Sequence, residues 1–185
     1  MHKWLVGINN QTLSEKDKTV AKIYITLLNW IIATNYRGGC HDTSAIFHII
    51  LNEENIENTL CIGEVKTGDK YFDHSWIEID GLIYDPAVCM PLEGGRWHPP
   101  VFKSKDLDLQ ESTKLIYGAQ SPVGLDDIAK WVSLVDLGTY ALAQPDTPEK
   151  MWHLASFILM EYGLTLEPNK IKDKYEKSKR KHVAI

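Results

Sequence analysis

The chain reads as an α+β protein in which helices come first, an antiparallel sheet follows, and helices return at the end. Three observations predict this. Apolar residues recur at helical spacing from Ser14 to Thr34 and again from Cys40 onward. Alternating apolar runs then follow, joined by the turn pairs Gly68-Asp69 and Asp80-Gly81. Beyond residue 122 helical spacing resumes.

The first helix is expected from Ser14 to Thr34, with Ser14-Glu15-Lys16-Asp17 as its cap and Val20, Ile23, Leu27, Trp30 and Ile31 on one stripe. Asn35 to Gly39 breaks it. A second helix is expected from about Cys40 to Leu51, apolar nearly all round through Ala45, Ile46, Phe47, Ile49, Ile50 and Leu51, as in a helix buried on several sides. Strands are expected over Thr59 to Thr67, Lys70 to Ile79 and Leu82 to Val88. Asp-Gly between two alternating runs is a strong short-range hairpin signal. Pro86, Pro91, Gly94-Gly95 and Pro99-Pro100 mark a long loop, and Thr113 to Tyr117 suggests a further strand. Gly124 to Leu142 reads as helical. A last helix is expected with Asp146 as N-cap, Pro148 in the first turn and Glu149 closing a capping box, running to Gly163.

A length of 185 residues is expected to form one domain with a real core. It divides into a core of about residues 14–120, a helical part of about 121–165 and a basic tail of 166–185. The net charge of −5 gives no reason to expect nucleic acid. The lysine-rich stretch from Lys170 to His182 reads as a solvated or frayed terminus. The apolar run in Met1 to Val6 is too short for a signal peptide. No stretch approaches the roughly 18 apolar residues of a membrane span. Three cysteines do not suggest a disulfide framework, so a reducing cytoplasmic compartment is expected. Oligomeric state is left open.

The residues that carry chemistry cluster in the middle third. Cys40 ends Arg37-Gly38-Gly39-Cys40 and opens an apolar helix, His74 lies on a strand, and Asp85 on the next. A helix N-terminus places free amides and a positive dipole end beside the sulfur, which favours the thiolate. A histidine partner can take the thiol proton and return it to a leaving group. If Asp80-Gly81 is a two-residue turn, Ile79 faces Leu82 and Ile77 faces Tyr84. His74 and Asp85 are then diagonal neighbours on one face, with Cβ atoms roughly 7–8 Å apart. The opposite face is expected to gather Ile77, Ile79, Leu82 and Tyr84 into the core. Cys40, Ser44, Phe47 and Leu51 share one side of their helix. The sulfur meets the imidazole if that side packs on the His74 face.

Arg37-Gly38-Gly39-Cys40-His41-Asp42, His74-Ser75-Trp76-Ile77-Glu78 and Tyr84-Asp85-Pro86 together resemble the transglutaminase-like superfamily of papain-type cysteine enzymes. The pattern is Arg-Gly-x-Cys-x-Asp, then His-Ala-Trp-x-Glu, then Asp-Pro, and it covers about residues 35–88. Ser75 stands where that family usually has alanine. The resemblance implies a papain-like, transglutaminase-like α+β core with Cys40 as nucleophile, His74 as general base and acid, and Asp85 as the carboxylate that orients it. It implies acyl transfer or hydrolysis at an amide of a peptide or protein substrate, through a thioester and without cofactor. Arylamine N-acetyltransferases share an Arg-Gly-Gly-x-Cys start and the triad order, so acetyl transfer from acetyl-CoA is an alternative. A non-catalytic binding module of the same fold is another.

Plainer roles stand beside these. Cys61 and Cys89 read as structural. His41, His48, His98 and His153 read as surface or packing residues, and Asp42 as a complement to the helix dipole. A metal reading of Cys40-His41-Asp42 fails because consecutive helical residues diverge by roughly 100°, and no metal site is expected. Trp30, Tyr36, Gly39 and Trp76 are the candidates for a second oxyanion donor or groove wall.

Overall fold

The computed structural model describes residues 1–144 and 147–185. Helix α1 (His2–Asn10) precedes α2 (Glu15–Ala33), and α3 (Cys40–Glu53) follows. Ser14 accepts from the Asp17 amide while Asp17 accepts from the Ser14 amide, the reciprocal cap the sequence suggested. Asn35 ends α2 at φ +51°, a left-handed position asparagine tolerates.

Strands β1 (Thr59–Thr67), β2 (Lys70–Ile79) and β3 (Leu82–Tyr84) form an antiparallel meander. Its second turn has positive φ at both Asp80 and Gly81, the twist-matched geometry that Asp-Gly favours. Ile77 faces Tyr84 and Ile79 faces Leu82, the register expected from the turn. A short hairpin, β4 (Val101–Phe102) and β5 (Lys105–Asp106), follows the proline-rich loop. Strand β6 (Ile116–Ala119) pairs antiparallel with the far side of β1, and the main sheet runs β3-β2-β1-β6. The chain then forms α4 (Asp127–Leu134), α5 (Leu137–Leu142), α6 (Lys150–Tyr162), α7 (Pro168–Tyr175) and β7 (Lys181–His182). The protein is therefore mixed α+β, an antiparallel sheet with several helices.

The two faces of the meander bury different cores. Leu60, Ile77, Ile79 and Tyr84 pack with α2, α3 and α6, against Tyr24, Phe47, Ile50 and Trp152. Cys61, Val65 and Trp76 lie on the other face with Val88, Val101, Leu115 and Tyr117. A small third cluster seats α4 on Ile62 through Leu125, Ala129 and Val132. Among the described residues, no helix is long and apolar enough to cross a membrane.

Several expectations change. Helix α1 carried no cap or stripe in the sequence that singled it out. Leu82, expected in the core, is 38% exposed at the strand's end. The third strand stops at Tyr84, because Asp85 leaves β2 to bridge Val101. The late strand begins at Ile116 rather than Thr113. The helix expected over residues 124–142 is two helices, because Asp136 caps a new one by accepting from the Thr139 amide at 2.8 Å. Asp146 lies outside the described residues. Glu149 does not close a capping box: it sits at φ +66° just before α6 and pairs with Lys172.

The largest correction is the tail. Instead of a solvated terminus, residues 168–175 form α7, which ties to α3 through Lys174 and Tyr175 on Glu53. Then β7 adds parallel to β1 at Cys61 and Ile62. Arg180 between them is only 4% exposed, over the Tyr140 ring at 4.5 Å. Lysine abundance pointed to solvent, while a single arginine and two strand residues decide the placement.

Candidate active site

Cys40 is the first residue of α3. The first intrahelical bond runs from the Thr43 amide to the Gly39 carbonyl, so the amides of Cys40, His41 and Asp42 precede the helical ladder. Both glycines ahead of it suit the turn, the first through its backbone angle and the second through the closeness of a ring. Gly38 has φ +66°, and a Cβ there would fall 2.2 Å from Leu92. A Cβ on Gly39 would fall 2.0 Å from the Tyr36 ring. The Gly38 amide bonds the Met90 carbonyl at 2.9 Å, which fixes this turn against the loop after Asp85.

His74 is buried on β2 with Nε2 2.7 Å from Asp85 Oδ2. That contact engages Nε2, and Cys40 and His74 line the same cavity, close enough for each to shift the other's protonation. Asp85 is held from several sides. Oδ1 accepts from the Ala87 and Val88 amides at 3.1 and 3.0 Å, and Oδ2 accepts from the Tyr117 hydroxyl at 2.8 Å. Its backbone pairs with Val101, whose carbonyl also accepts from Tyr24 at 2.9 Å. The carboxylate thus starts the turn after the strand and also meets the imidazole.

The helix packs differently from the expectation. Cys40, Ser44, Phe47 and Leu51 do not lie on the His74 face, because α3 covers the opposite face, where His41 meets Ser75 and Phe47 joins the cluster of Ile77. Cys40 and His74 still line one cavity, and β3 pairs with β2 only over Ile77 to Ile79. His74 lies beyond that pairing, and the first residue of α3 comes round the unpaired length of the strand.

Electrostatics follow from this closeness. Burial pushes the Cys40 thiol up, but His41 and His74 pull it down, and it ends well below the usual thiol range. For His74, burial opposes the charged ring, yet Asp85 and Cys40 raise it from 6.5 to about 10. Both shifts favour the thiolate–imidazolium form of the pair. Burial pushes Cys61 and Cys89 the other way, each to about 12.

A cavity of about 570 Å³ opens on Cys40 and His74. Phe72, Val88, Leu92 and His98 give it mainly apolar walls, with Lys70 and Arg96 also lining it. His98 stacks on Phe72 at 5.7 Å, and Phe72 stands edge-on to His74. Of the other candidates, Gly39 caps α3 beside the sulfur. Trp30 packs on Tyr36 at 4.8 Å, while the Tyr36 hydroxyl is taken by Asp42. Trp76 is buried against Tyr117 and donates to Glu78, and it does not line the cavity.

Sequence reasoning missed five contributors. His98 and His41, assigned to surface or packing, lie at the site, and His41 Nδ1 is 3.9 Å from the Cys40 sulfur. Asp42 does more than complement the dipole. It accepts from Tyr36, from Tyr140 at 2.7 Å and from Gln144 at 2.8 Å, tying the glycine turn to α5. Tyr117 anchors Asp85 from a strand with no motif. Arg180 donates to the His41 carbonyl at 3.0 Å from the far end of the chain. An aspartate two residues after the cysteine was the one signal available; the others lack any local pattern.

Comparison of the chain with protein-family models, with curated proteins and with solved structures finds no match in any of the three.

Proposed function

We propose that this protein is a cysteine-dependent amide acyltransferase or hydrolase with a transglutaminase-like, papain-type core. The single observation that carries the reading is the His74–Asp85 pair at 2.7 Å sharing one open cavity with Cys40 at the start of its helix. In this reading the Cys40 thiolate attacks an amide carbonyl of a peptide or protein. The oxyanion forms against the free amides at the start of α3, where fixed donors stabilise developing charge. His74 gives its proton to the departing ammonia or amine, and Asp85 holds the ring in place throughout. A thioester on Cys40 remains. Water or a second amine then attacks it, loses a proton to His74 and releases Cys40 as thiolate. The resemblance in residues 35–88 supports the fold assignment, and the buried, fully held Asp85 supports the orienting role.

The test is ammonia release from glutamine- and asparagine-containing peptides, with and without an added primary amine, alongside intact-mass detection of the acyl-enzyme. Release that disappears in C40A supports the reading. A thioester adduct from acetyl-CoA, with no amide turnover, would replace it by acetyl transfer.

A further inference from the structure

The Cys40 sulfur has a second histidine beside it that the proposed triad does not use. His41 Nδ1 lies 3.9 Å from Sγ and 2.7 Å from Ser75 Oγ. Adjacent helical side chains normally diverge, so this closeness needs a cause. Ser75 supplies it: buried on β2 beside His74, its hydroxyl draws the imidazole back along the strand toward the sulfur. Ser75 is also the position where the resemblance leads one to expect alanine, which could not hold the ring. The Tyr140 ring stands edge-on to His41 at 6.2 Å, and Arg180 fixes the His41 carbonyl. The ring is thereby positioned from three elements.

We propose that His41, oriented by Ser75, is a second hydrogen-bond donor to the Cys40 thiolate. The inference rests on Cys40 being the nucleophile. With hydrogen on Nδ1, the ring points one donor at a site shared by the Ser75 oxygen and the sulfur. In the other tautomer the bare Nδ1 accepts from the Ser75 hydroxyl, and His41 offers the sulfur no donor. His41 faces a cavity of its own, about 320 Å³, lined also by Asp42, Trp131, Tyr140 and Lys150 and sharing no residue with the cavity of Cys40 and His74. It therefore stays in place when substrate fills the first cavity and His74 surrenders its proton. When the thioester breaks, the sulfur leaves as an anion into a hydrogen bond that is already made. Charged and titratable groups facing the pair are His74 and Asp73 on β2, Tyr140 on α5, Arg180 ahead of β7 and Asp42 on its own helix.

The experiment is the rate of Cys40 alkylation by iodoacetamide from pH 4.5 to 9.5 in wild type, H41F, H41N and S75A. H41F keeps a ring without nitrogen; H41N restores a donor near the Nδ1 position. The midpoint for thiolate formation is expected to rise by at least one pH unit in H41F, about a fivefold loss of reactive thiolate at the wild-type midpoint and about tenfold well below it. H41N should recover most of it and S75A should fall between. An H41F profile superimposable on wild type overturns the inference while leaving the activated Cys40 intact. A wild-type profile like that of a free thiol would instead overturn the reading of Cys40 on which it rests. Should H41F not fold, S75A carries the test, and an S75A alkylation profile superimposable on wild type contradicts the proposal.

Discussion

The two faces of β2 are built on opposite principles. Ile77 and Ile79 enter a large apolar core shared with α2, α3 and α6. His74 and Trp76 enter a smaller one in which the central group is a carboxylate, Asp85, held by two amides, a tyrosine hydroxyl and the imidazole. One face gains stability from area removed from water. The other tolerates buried charge only because each charge is met. The difference explains why the site is where it is. The apolar face fixes α3 rigidly, the polar face fixes His74, and the sulfur lies at the border, where β3 no longer pairs with β2.

That contrast can be broken by substitution. The largest effect is expected from Asp85→Ala, which takes from buried His74 the carboxylate that holds its ring and supports its charge. It should cost about 3–5 kcal/mol in urea unfolding and abolish rapid alkylation of Cys40. Ile77→Ala should lower stability by about 2–5 kcal/mol through the cavity it leaves, while the remaining folded protein keeps the wild-type alkylation profile. If Ile77→Ala instead slowed alkylation as much as Asp85→Ala, the division between the two faces would be wrong. Tyr117→Phe removes one hydrogen bond to a charged group and should cost about 1.5–3 kcal/mol.

The contrast also has a pH signature. His74 is raised to about 10 in the folded state, so its contribution is complete below about 6.5 and is lost as pH rises through 10. Cys40 is depressed, so its contribution is complete above its ordinary value of 9.0 and is lost as pH falls through the folded value. Between 6.5 and 9 the folded pair and the unfolded pair each hold one proton, and the two slopes cancel. The contribution of this pair should therefore rise toward pH 6.5, stay level to about 9 and fall beyond. Urea midpoints of wild type compared with the C40A/H74A double variant isolate it. A contribution that climbs steadily through pH 7–9 would mean that the two groups do not titrate as a pair. The smallest effect is expected from Arg180→Gln, which frees the His41 carbonyl. Its stability loss should be on the order of 1 kcal/mol, with the Cys40 alkylation midpoint moved slightly upward.

What the sequence disclosed divides along the same line. Asp80-Gly81 allows one favourable turn, and that turn fixed the β2–β3 register, so His74 and Asp85 could be paired by counting. Ser14 with Asp17 likewise announced α2. Contacts made over long separations left no such trace. Nothing near Tyr117 announces a hydrogen bond to Asp85, because its strand is four residues long and its partner lies 32 positions away. Arg180 sits among lysines, whose number suggested solvent, yet its guanidinium lies over Tyr140 and reaches α3. The face on which α3 packs was equally hidden. That helix is apolar nearly all round, and such a pattern does not say which side meets the sheet.

The most direct test of the thiolate at Cys40 is site-resolved alkylation of the wild-type protein by iodoacetamide at pH 6, read by mass spectrometry at Cys40, Cys61 and Cys89. The account predicts rapid labelling of Cys40 alone, lost in H74A, with Cys61 and Cys89 protected by burial until the protein unfolds. Labelling of Cys40 at the rate of an ordinary thiol, unchanged in H74A, would contradict it.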